Sequence, residues 1–360
     1  MSVTPCGFVR TPEKGLARLH WKHPGEWAVD GQEPELPALH AVRGLEIEWP
    51  DHKVPLAGLV RLAAAGLPLT ADHAPAWVPA ELAALLTDRD WLTQCESGSR
   101  SVADLRREEH SVRLRRLTHR LPPSRTPRIS VVMSTRRAAM VPSALAQMAR
   151  QRDTDVEVLL GLHGIAFEEV RQAVESSSLP VSWVEAPAGT PFGDVLNEAA
   201  ALASGDYLVK WDDDDWYGPD HLADLVMAAS YSGADIVGTT AEFFYLEPLR
   251  ATIRRTTFAS GAAYPSEVSA DHVAGGTILA SKAIFQEVGG FPSQPSAVDR
   301  DFLKAAHEAG AVIYRTHGLG YVLRRTLSDQ HTWQLPLAHF LKVATNQWRG
   351  FRPSRLMEAA

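Results

Sequence analysis

The chain has 360 residues, of which 45% are hydrophobic and 22% are charged, a composition typical of globular proteins. Its length predicts two domains, or one large domain with an appendage. The formal net charge of −7 disfavours a nucleic-acid binder, which needs a basic surface for its phosphate contacts. Because the two cysteines are Cys6 and Cys95, neither a disulfide framework nor a cysteine metal site is expected.

The first 120 residues alternate short strand-like and helix-like patterns, which predicts a small α/β accessory domain. This segment contains no motif with chemistry, so its role is left open. Its five tryptophans are expected in a core or an interface rather than on a binding platform. A charge-dense stretch from residue 106 predicts a basic helix, and the proline-rich residues 121–127 predict a linker.

From residue 128 onward, β-branched runs alternate with helical patterns. The predicted strands are residues 128–135, 155–164, 180–186 and 206–211, and the predicted helices between them are residues 141–152, 166–177 and 190–204. This alternation predicts a mostly parallel sheet with helices on both faces, which is an α/β fold.

Four consecutive aspartates, residues 212–215, follow the strand "DYLVKW", and we name them the acidic run. Ligands of open α/β sheets bind at the carboxyl ends of the strands, which favours a binding site here over a solvated turn. An EF-hand loop is excluded by Tyr217 and Ala223, which stand where Gly and Glu are required. Trp216 breaks the pattern of a phosphatase-type aspartate nucleophile. A divalent cation, Mg²⁺ or Mn²⁺, is the expected partner of these carboxylates.

Several segments occur in the order found in family 2 glycosyltransferases, and residues 128–333 resemble that family. These segments are "ISVVMSTRR", "DVEVLLGLHG", "VLNEAAALASGDYLVKWDDDDWYGPDHL" and "GGTILASKAIFQEVGGF", followed by the acidic segment "VDRDF". The resemblance implies a GT-A fold and an inverting, metal-dependent enzyme. Such an enzyme moves a sugar from a nucleotide diphosphate-sugar to an acceptor hydroxyl on a glycan, a lipid-linked molecule or a small molecule.

The resemblance also implies roles for individual residues. The expected metal ligands are Asp212, Asp214, Asp215 and the late His331. The expected donor-binding residues are Ser134, Thr135, Arg136, His163, Asn197, Asp212, Asp213 and Arg324. Three of these have alternatives, because Asn197 could be a solvated helix residue, His163 an exposed loop residue and Arg324 a solvated strand end. The family's acidic turn after the second strand reads "GLHG" here, so the donor nucleotide is left open.

The family's catalytic base aligns with Asp299, although Val298 replaces the glutamate that usually precedes it. Asp301 is the neighbouring candidate for the base. The alternative is that this aspartate only caps the helix that starts here, since Asp is favoured at helix N-termini.

Two rival functions follow from departures in the sequence. A sugar nucleotidyltransferase would need a glycine-rich phosphate loop, and "STRRAAMVPSALA" has no glycine. A carbohydrate- or nucleotide-sugar-binding protein that lost its base is the other rival, because Val298 departs from the family pattern.

The sequence has no stretch of about 20 apolar residues and no apolar signal-peptide core at its N-terminus, so a cytoplasmic location is expected. Residues 334–360 predict one basic amphipathic helix. Such a helix either packs on the preceding domain, which is favoured, or touches the anionic inner face of a membrane.

Overall fold

The structure is a computed structural model, and it describes residues 4–5, 14–22, 25–30, 36–92, 100–120, 126–257, 260, 262–326 and 336–358. The chain divides into two compact units, Met1–Ser124 and Arg125–Ala360. Within the described residues, no helix is long and apolar enough to cross a membrane.

The first unit is a four-stranded sheet covered by helices. Its elements are β1 (Lys14–Lys22), β2 (Glu26–Val29), α1 (Leu36–Leu39), β3 (Val42–Glu48), α2 (Ala57–Ala64), β4 (Leu69–Thr70), α3 (Ala80–Thr87) and α4 (Arg100–Arg120). The strand order is β2-β1-β3-β4, and only the β1–β2 pair is antiparallel. Leu19, Leu45 and Leu59 lie in its core, where Trp27 is also buried and Trp49 packs at the edge, as predicted for the tryptophans.

Helix α4 is the predicted charge-rich helix, and its polar side chains are used inside the first unit. The Arg107 Nε donates to the carbonyl of Arg43 at 2.7 Å, and the Ser111 hydroxyl donates to the carbonyl of Gly66 at 2.8 Å. A His110 ring nitrogen lies 2.8 Å from the carbonyl of Leu69. These bonds explain how so polar a helix packs against a core, since buried polar groups need partners.

The second unit contains two sheets. Its strands are β5 (Arg128–Thr135), β6 (Asp155–His163), β7 (Val181–Ala186), β8 (Tyr207–Lys210), β9 (Trp216–Tyr217), β10 (Ile236–Thr239), β11 (Phe243–Leu246), β12 (Ala251–Arg254), β13 (Val268–Ser269), β14 (Leu279–Ser281), β15 (Ile313–Thr316), β16 (Tyr321–Arg325) and β17 (Asn346–Arg349). Its helices are α5 (Val141–Ala149), α6 (Arg171–Glu175), α7 (Phe192–Ala200), α8 (His221–Ser232), α9 (Lys282–Glu287), α10 (Val298–Glu308) and α11 (Leu337–Val343).

The large sheet has the order β13-β15-β10-β14-β8-β5-β6-β7. The pairs β5–β6, β6–β7, β5–β8 and β10–β15 are parallel, whereas β14 runs antiparallel to both of its neighbours. Successive side chains of β5 point to opposite faces, so Val131 joins the cluster with α5 and α8 while Val132 joins the cluster with α7 and α10. The predicted mostly parallel sheet, covered on both faces and accompanied by a smaller N-terminal α/β unit, is confirmed.

The second sheet has the order β17-β12-β11-β16-β9, and it corrects the prediction for the C-terminus. Residues 334–360 were expected to form one amphipathic helix, but α11 ends at Val343 and residues 346–349 pair with β12. Ala344, directly after α11, has an extended backbone with φ −68° and ψ 120°, which ends the helix, and Gly350 with φ +79° follows the strand. Phe340 of α11 packs against Phe244, in line with the packing alternative.

Glu157 on β6 fastens the sheet to the turn before β8. Its carboxylate accepts hydrogen bonds from the Ser130 hydroxyl at 2.6 Å, the Ser204 amide at 2.7 Å and the Arg128 guanidinium at 3.0 Å. Burial alone would raise the pKa of Glu157, but these hydrogen bonds and the charge of Arg128 outweigh it, and the pKa is lowered. The ionised carboxylate therefore stabilises the fold above the pKa of an unfolded glutamate, and this stabilisation is lost as the pH falls through the lowered folded pKa.

We expect Glu157→Gln to lower the free energy of unfolding by about 1–3 kcal/mol at neutral pH, because hydrogen bonds to a charged group are lost. The difference from wild type should shrink as the pH falls below the folded pKa. Denaturant titrations at a series of pH values measure both effects. Glu198→Gln, on the exposed face of α7, is the control and should change the stability little. A deficit for Glu157→Gln that does not depend on pH would contradict the ionised-carboxylate account.

Candidate active site

The acidic run turns alternate side chains toward solvent. The side chains of Asp212 and Asp214 are 34% and 13% exposed, whereas those of Asp213 and Asp215 are 5% and 3% exposed. The run directly follows β8 at its carboxyl end, and β8 lies between β5 and β14. The two outward carboxylates are the D-x-D pair that the sequence predicted as metal ligands.

Arg137 holds the middle of the acidic run. Its guanidinium contacts both oxygens of Asp213, and its Nη1 and Nη2 lie 3.2 and 3.1 Å from Asp214 Oδ2. The Thr135 hydroxyl also donates to Asp213. Burial would lower the pKa of Arg137, but the two aspartates outweigh burial and raise it. Thr135 and Asp213, both predicted to contact the donor, therefore bind each other and Arg137.

Asp215 connects the acidic run to strand β16. It accepts hydrogen bonds from the Tyr321 hydroxyl and, at 2.9 Å, from the backbone amide of Arg324, and Arg325 lies 3.9 Å away. Burial and the neighbouring aspartates raise the pKa of Asp215 to about 7, while Arg325 opposes that shift. Asp215 was predicted as a metal ligand, but the structure turns it away from Asp212 and Asp214 into the protein.

Lys210, the last residue of β8, joins the acidic run to the aspartate predicted as the base. Its Nζ lies 2.6 Å from Asp212 Oδ1 and 3.3 Å from Asp299 Oδ1. Burial would lower the pKa of Lys210, but the two carboxylates outweigh it and raise it, so the side chain stays charged. The ammonium group thus brings the carboxylates of two distant segments into one site.

A glycine turn, residues 275–277, fits between these carboxylates. A Cβ on Gly275 would lie 2.1 Å from Asp299 Oδ2, and one on Gly276 would lie 2.7 Å from Asp212 Oδ2. The Tyr217 hydroxyl accepts from the Asp212 amide and donates to the Gly276 carbonyl, both at 2.9 Å. The turn therefore needs glycine because side chains of the site occupy the space that a Cβ would take.

Asp299 and Asp301 both lie in the first turn of α10, but only Asp299 faces the acidic run. Asp299 is 32% exposed, and burial and the Asp212 charge raise its pKa while Lys210 opposes them. Asp301 binds the Arg300 guanidinium at 2.7 Å and the Gln294 amide at 2.9 Å, which lowers its pKa to about 2. Asp301 is therefore not placed with the site. Capping by Asp299 is also wrong, because the N-cap residue is Ala297.

Three of the expected donor-binding residues lie near the carboxyl ends of β5 and β6, namely Ser134, Arg136 and His163. The Ser134 hydroxyl, at the end of β5, has no hydrogen-bond partner among the described residues. The Arg136 guanidinium donates to His163 Nδ1 at 3.2 Å and to the carbonyl of Ala188 at 3.0 Å. Burial, followed by the Arg136 charge, lowers the pKa of His163. The alternative that His163 is an exposed loop residue is wrong, since only 2% of it is exposed.

Two other expected donor contacts have partners inside the protein. The Asn197 side chain donates to the carbonyl of Phe291 at 2.7 Å and accepts from its amide at 2.8 Å, so it fastens α7 to the loop after α9. The Arg324 guanidinium binds Glu247 at 2.8 Å and lies over the ring of Trp216. Neither side chain is directed to the acidic run, and His331 lies outside the described residues.

The charges of the site fit a divalent cation. Five carboxylates, those of residues 212–215 and of Asp299, face the cations of Lys210, Arg137 and Arg325, which leaves a formal excess of two negative charges in the described part of the site. Carboxylate oxygens are the ligands that Mg²⁺ and Mn²⁺ prefer, and these ions commonly share substrate phosphates. No group of three or more His, Cys, Asp or Glu side chains within the described ranges is arranged around one point. Asp212 and Asp214 would therefore share the metal with other oxygen ligands.

Sequence reasoning missed Lys210, Arg137 and the two glycines. A lysine inside a buried strand, two residues before Asp212 and therefore on the same side of the strand, was a usable signal for Lys210. The "GG" of residues 275–276 was a signal for a close backbone approach. Nothing in the sequence distinguishes Arg137 from Arg136, because the geometry of the loop after β5 decides which one meets the acidic run.

Residues 130–289 match the sequence model of glycosyl transferase family 2. The predicted family resemblance is therefore confirmed over these residues, which lie in the second unit. The mostly parallel sheet with flanking helices agrees with the α/β architecture that the resemblance implied. No curated protein matches the sequence.

Among solved structures, the chain is similar to the mannosyltransferase PcManGT from Pyrobaculum calidifontis in complex with GDP-Man and Mn²⁺. The identity is 19% and the TM-score 0.44, over 60% of this chain and 64% of that chain. It is also similar to S. aureus TarS 1-349 in complex with UDP-GlcNAc, with 17% identity, a TM-score of 0.44, and the same coverage of 60% and 64%. The match thus spans slightly less than two thirds of each of these chains.

We expect Gly275→Ala to push the Asp299 carboxylate away from Lys210, because the new Cβ would overlap Asp299 Oδ2. If Asp299 has its predicted role as the base, a misplacement of about 1 Å can cost about 100-fold in rate, so glycosyl-transfer turnover should fall by up to that factor. Affinity for nucleoside diphosphate should stay near wild type. Gly189→Ala is the control, since no atom lies within 4 Å of its Cβ position. Unchanged turnover in Gly275→Ala would show that this contact does not position Asp299.

Proposed function

We propose that the protein is a metal-dependent, inverting glycosyltransferase that moves a sugar from a nucleoside diphosphate-sugar to an acceptor hydroxyl. The observation that carries this proposal is the Lys210 bridge, which places Asp299 beside Asp212 at the carboxyl end of β8. Transfer from a diphosphate leaving group to a hydroxyl needs one carboxylate group on the donor side and a second, solvent-accessible carboxylate that can accept the proton of the hydroxyl. Asp212 and Asp299 supply such a pair at one opening.

Asp212 and Asp214 would hold the metal, and His331 remains a proposed further ligand. When bound, a divalent ion offsets the negative charge that develops on a departing diphosphate. The Ser134 hydroxyl and the Arg136–His163 pair stand at the ends of the adjacent strands β5 and β6, where they can bind the nucleotide. Together these residues would fix the donor with its anomeric carbon at the opening between the acidic run and α10.

Asp299 is the proposed general base. Its carboxylate is partly exposed, so an acceptor hydroxyl can reach it, and its ion pair with Lys210 favours the charged form that accepts a proton. The acceptor oxygen would lose its proton to Asp299 as it bonds to the anomeric carbon, while the bond from that carbon to the diphosphate breaks on the opposite face. Attack opposite the leaving group inverts the anomeric configuration.

Asp299→Asn tests the mechanism directly. A positioned base typically contributes about 10²–10⁴-fold in rate, so turnover should fall by that range while donor affinity stays near wild type. Turnover is measured as nucleoside diphosphate release with acceptor present and with a panel of nucleotide-sugars. Asp301→Asn is the matched control on the same helix turn, and it should change turnover little because Asp301 binds Arg300 and Gln294 instead.

The outcomes separate the rival functions. A large loss for Asp301→Asn with a small one for Asp299→Asn would mean that the wrong carboxylate was chosen. A wild-type protein that binds nucleotide-sugars but releases no nucleoside diphosphate, with or without acceptor, would be a binding protein rather than an enzyme.

A further inference from the structure

Arg137 contacts Asp214 Oδ2, an oxygen that a metal bound by Asp212 and Asp214 would need. Its Nη1 and Nη2 both contact Asp214 Oδ2, at 3.2 and 3.1 Å, and the same guanidinium contacts both oxygens of Asp213. A divalent ion cannot bind this oxygen of Asp214 at close range while a guanidinium lies against it, because the two cations repel each other.

The three cations of the site differ in how they are held. Lys210 is the last residue of a buried strand and lies between two carboxylates that come from different elements. Arg325 is on β16, and its side chain lies over the ring of Phe244. Arg137 stands in the loop between β5 and α5, and its side chain is 21% exposed. Arg137 is therefore the cation of the three that can change partners without moving a strand.

The guanidinium is also suited to a second partner. Arginine binds phosphate oxygens through two parallel N–H groups, with the geometry that it uses on carboxylates. A donor diphosphate at the D-x-D pair would bring new oxygens to the same opening as Asp214. Arg137 could then exchange its contact with Asp214 for a contact with phosphate while it keeps its contacts with Asp213.

We propose that Arg137 is an exchanging counterion. It neutralises Asp213 and Asp214 in the free protein, and it releases Asp214 to the metal when the donor diphosphate arrives and takes its place as partner. This inference rests on the proposed function. It explains why metal and nucleotide should bind together, since the metal alone must break the contact between Arg137 and Asp214 with no phosphate to replace it.

The test compares wild type with Arg137→Gln, using Mn²⁺ and a nucleoside diphosphate as probes in calorimetric titrations. Removing the unit charge next to Asp214 should tighten binding of Mn²⁺ alone by at least about tenfold, because the guanidinium no longer repels the metal or competes with it for Asp214 Oδ2. The same variant should bind nucleoside diphosphate at saturating Mn²⁺ more weakly than wild type does. A merely structural role for Arg137 would not move the two affinities in opposite directions.

Arg171→Gln is the matched control, since Arg171 also pairs with two carboxylates, those of Glu168 and Glu175, and does not touch the acidic run. Its affinity for Mn²⁺ alone should equal that of wild type. Arg137→Lys, which keeps the charge, should also bind Mn²⁺ alone as weakly as wild type, and thermal melts verify that all variants are folded. If Arg137→Gln is unfolded, Arg137→Lys still tests the exchange, because a compact ammonium should weaken diphosphate binding relative to a guanidinium.

Each result decides between the two proposals. If Mn²⁺ and nucleotide bind together in wild type, but Arg137→Gln does not tighten Mn²⁺ binding or does not weaken nucleotide binding, the exchange is overturned and the metal-dependent function stands. If wild type binds no Mn²⁺ even with nucleotide and every nucleotide-sugar, the metal dependence of the proposed function fails, and the exchange fails with it.

Discussion

The structure of this site depends on holding five carboxylates together at one edge of a sheet. Carboxylates this close raise each other's pKa, and burial raises it further, so the group is stable only with cations among it. Lys210, Arg137 and Arg325 supply them, and each lies against a different part of the cluster. The run of four aspartates is therefore a charge-balanced assembly with a formal excess of two negative charges, and that excess is what makes a divalent ion a natural partner.

A layer of hydrogen bonds beneath the aspartates fixes their positions. Gln147 of α5 donates to the carbonyl of Asp215 and accepts from the amide of Tyr217, at 3.2 and 2.8 Å. Tyr217 in turn joins the acidic run to the glycine turn and stacks on Trp211. These contacts hold the carboxylates in place before any ligand binds. Preorganised charges of this kind are worth more to a reaction than charges that must first be arranged.

Local sequence patterns predicted the order of strands and helices and the end of the sheet at which the acidic run lies. Alternating strands and helices predicted the parallel sheet, and the position of the acidic run after β8 predicted which end carries the site. The C-terminus was predicted wrongly as one helix, because the open edge of β12, which residues 346–349 cover, is a tertiary feature that no local pattern contains.

Side-chain contacts between distant segments could not be predicted from the sequence. The Lys210–Asp299 pair joins residues on a strand and on a helix 89 positions later, so no spacing reveals it. Arg136 and Arg137 are adjacent and identical in type, yet one binds His163 and the other the acidic run. For Asn197 the resemblance implied a contact with the donor. Its side chain instead forms hydrogen bonds with the backbone carbonyl and amide of Phe291.

The two cations nearest the D-x-D pair suit different tasks because of their chemistry. A lysine ammonium is a compact point charge, and Lys210 lies buried between Asp212 and Asp299, so it pairs with both carboxylates at once. A guanidinium is planar, less strongly hydrated and able to bind carboxylate or phosphate in the same way. If Lys210 and Arg137 both kept their partners, the site could not adjust its charge when a positive metal or a negative diphosphate binds. Under the proposed function, one fixed and one exchangeable cation would let the same five carboxylates accept a metal and a diphosphate while Asp299 stays beside Lys210.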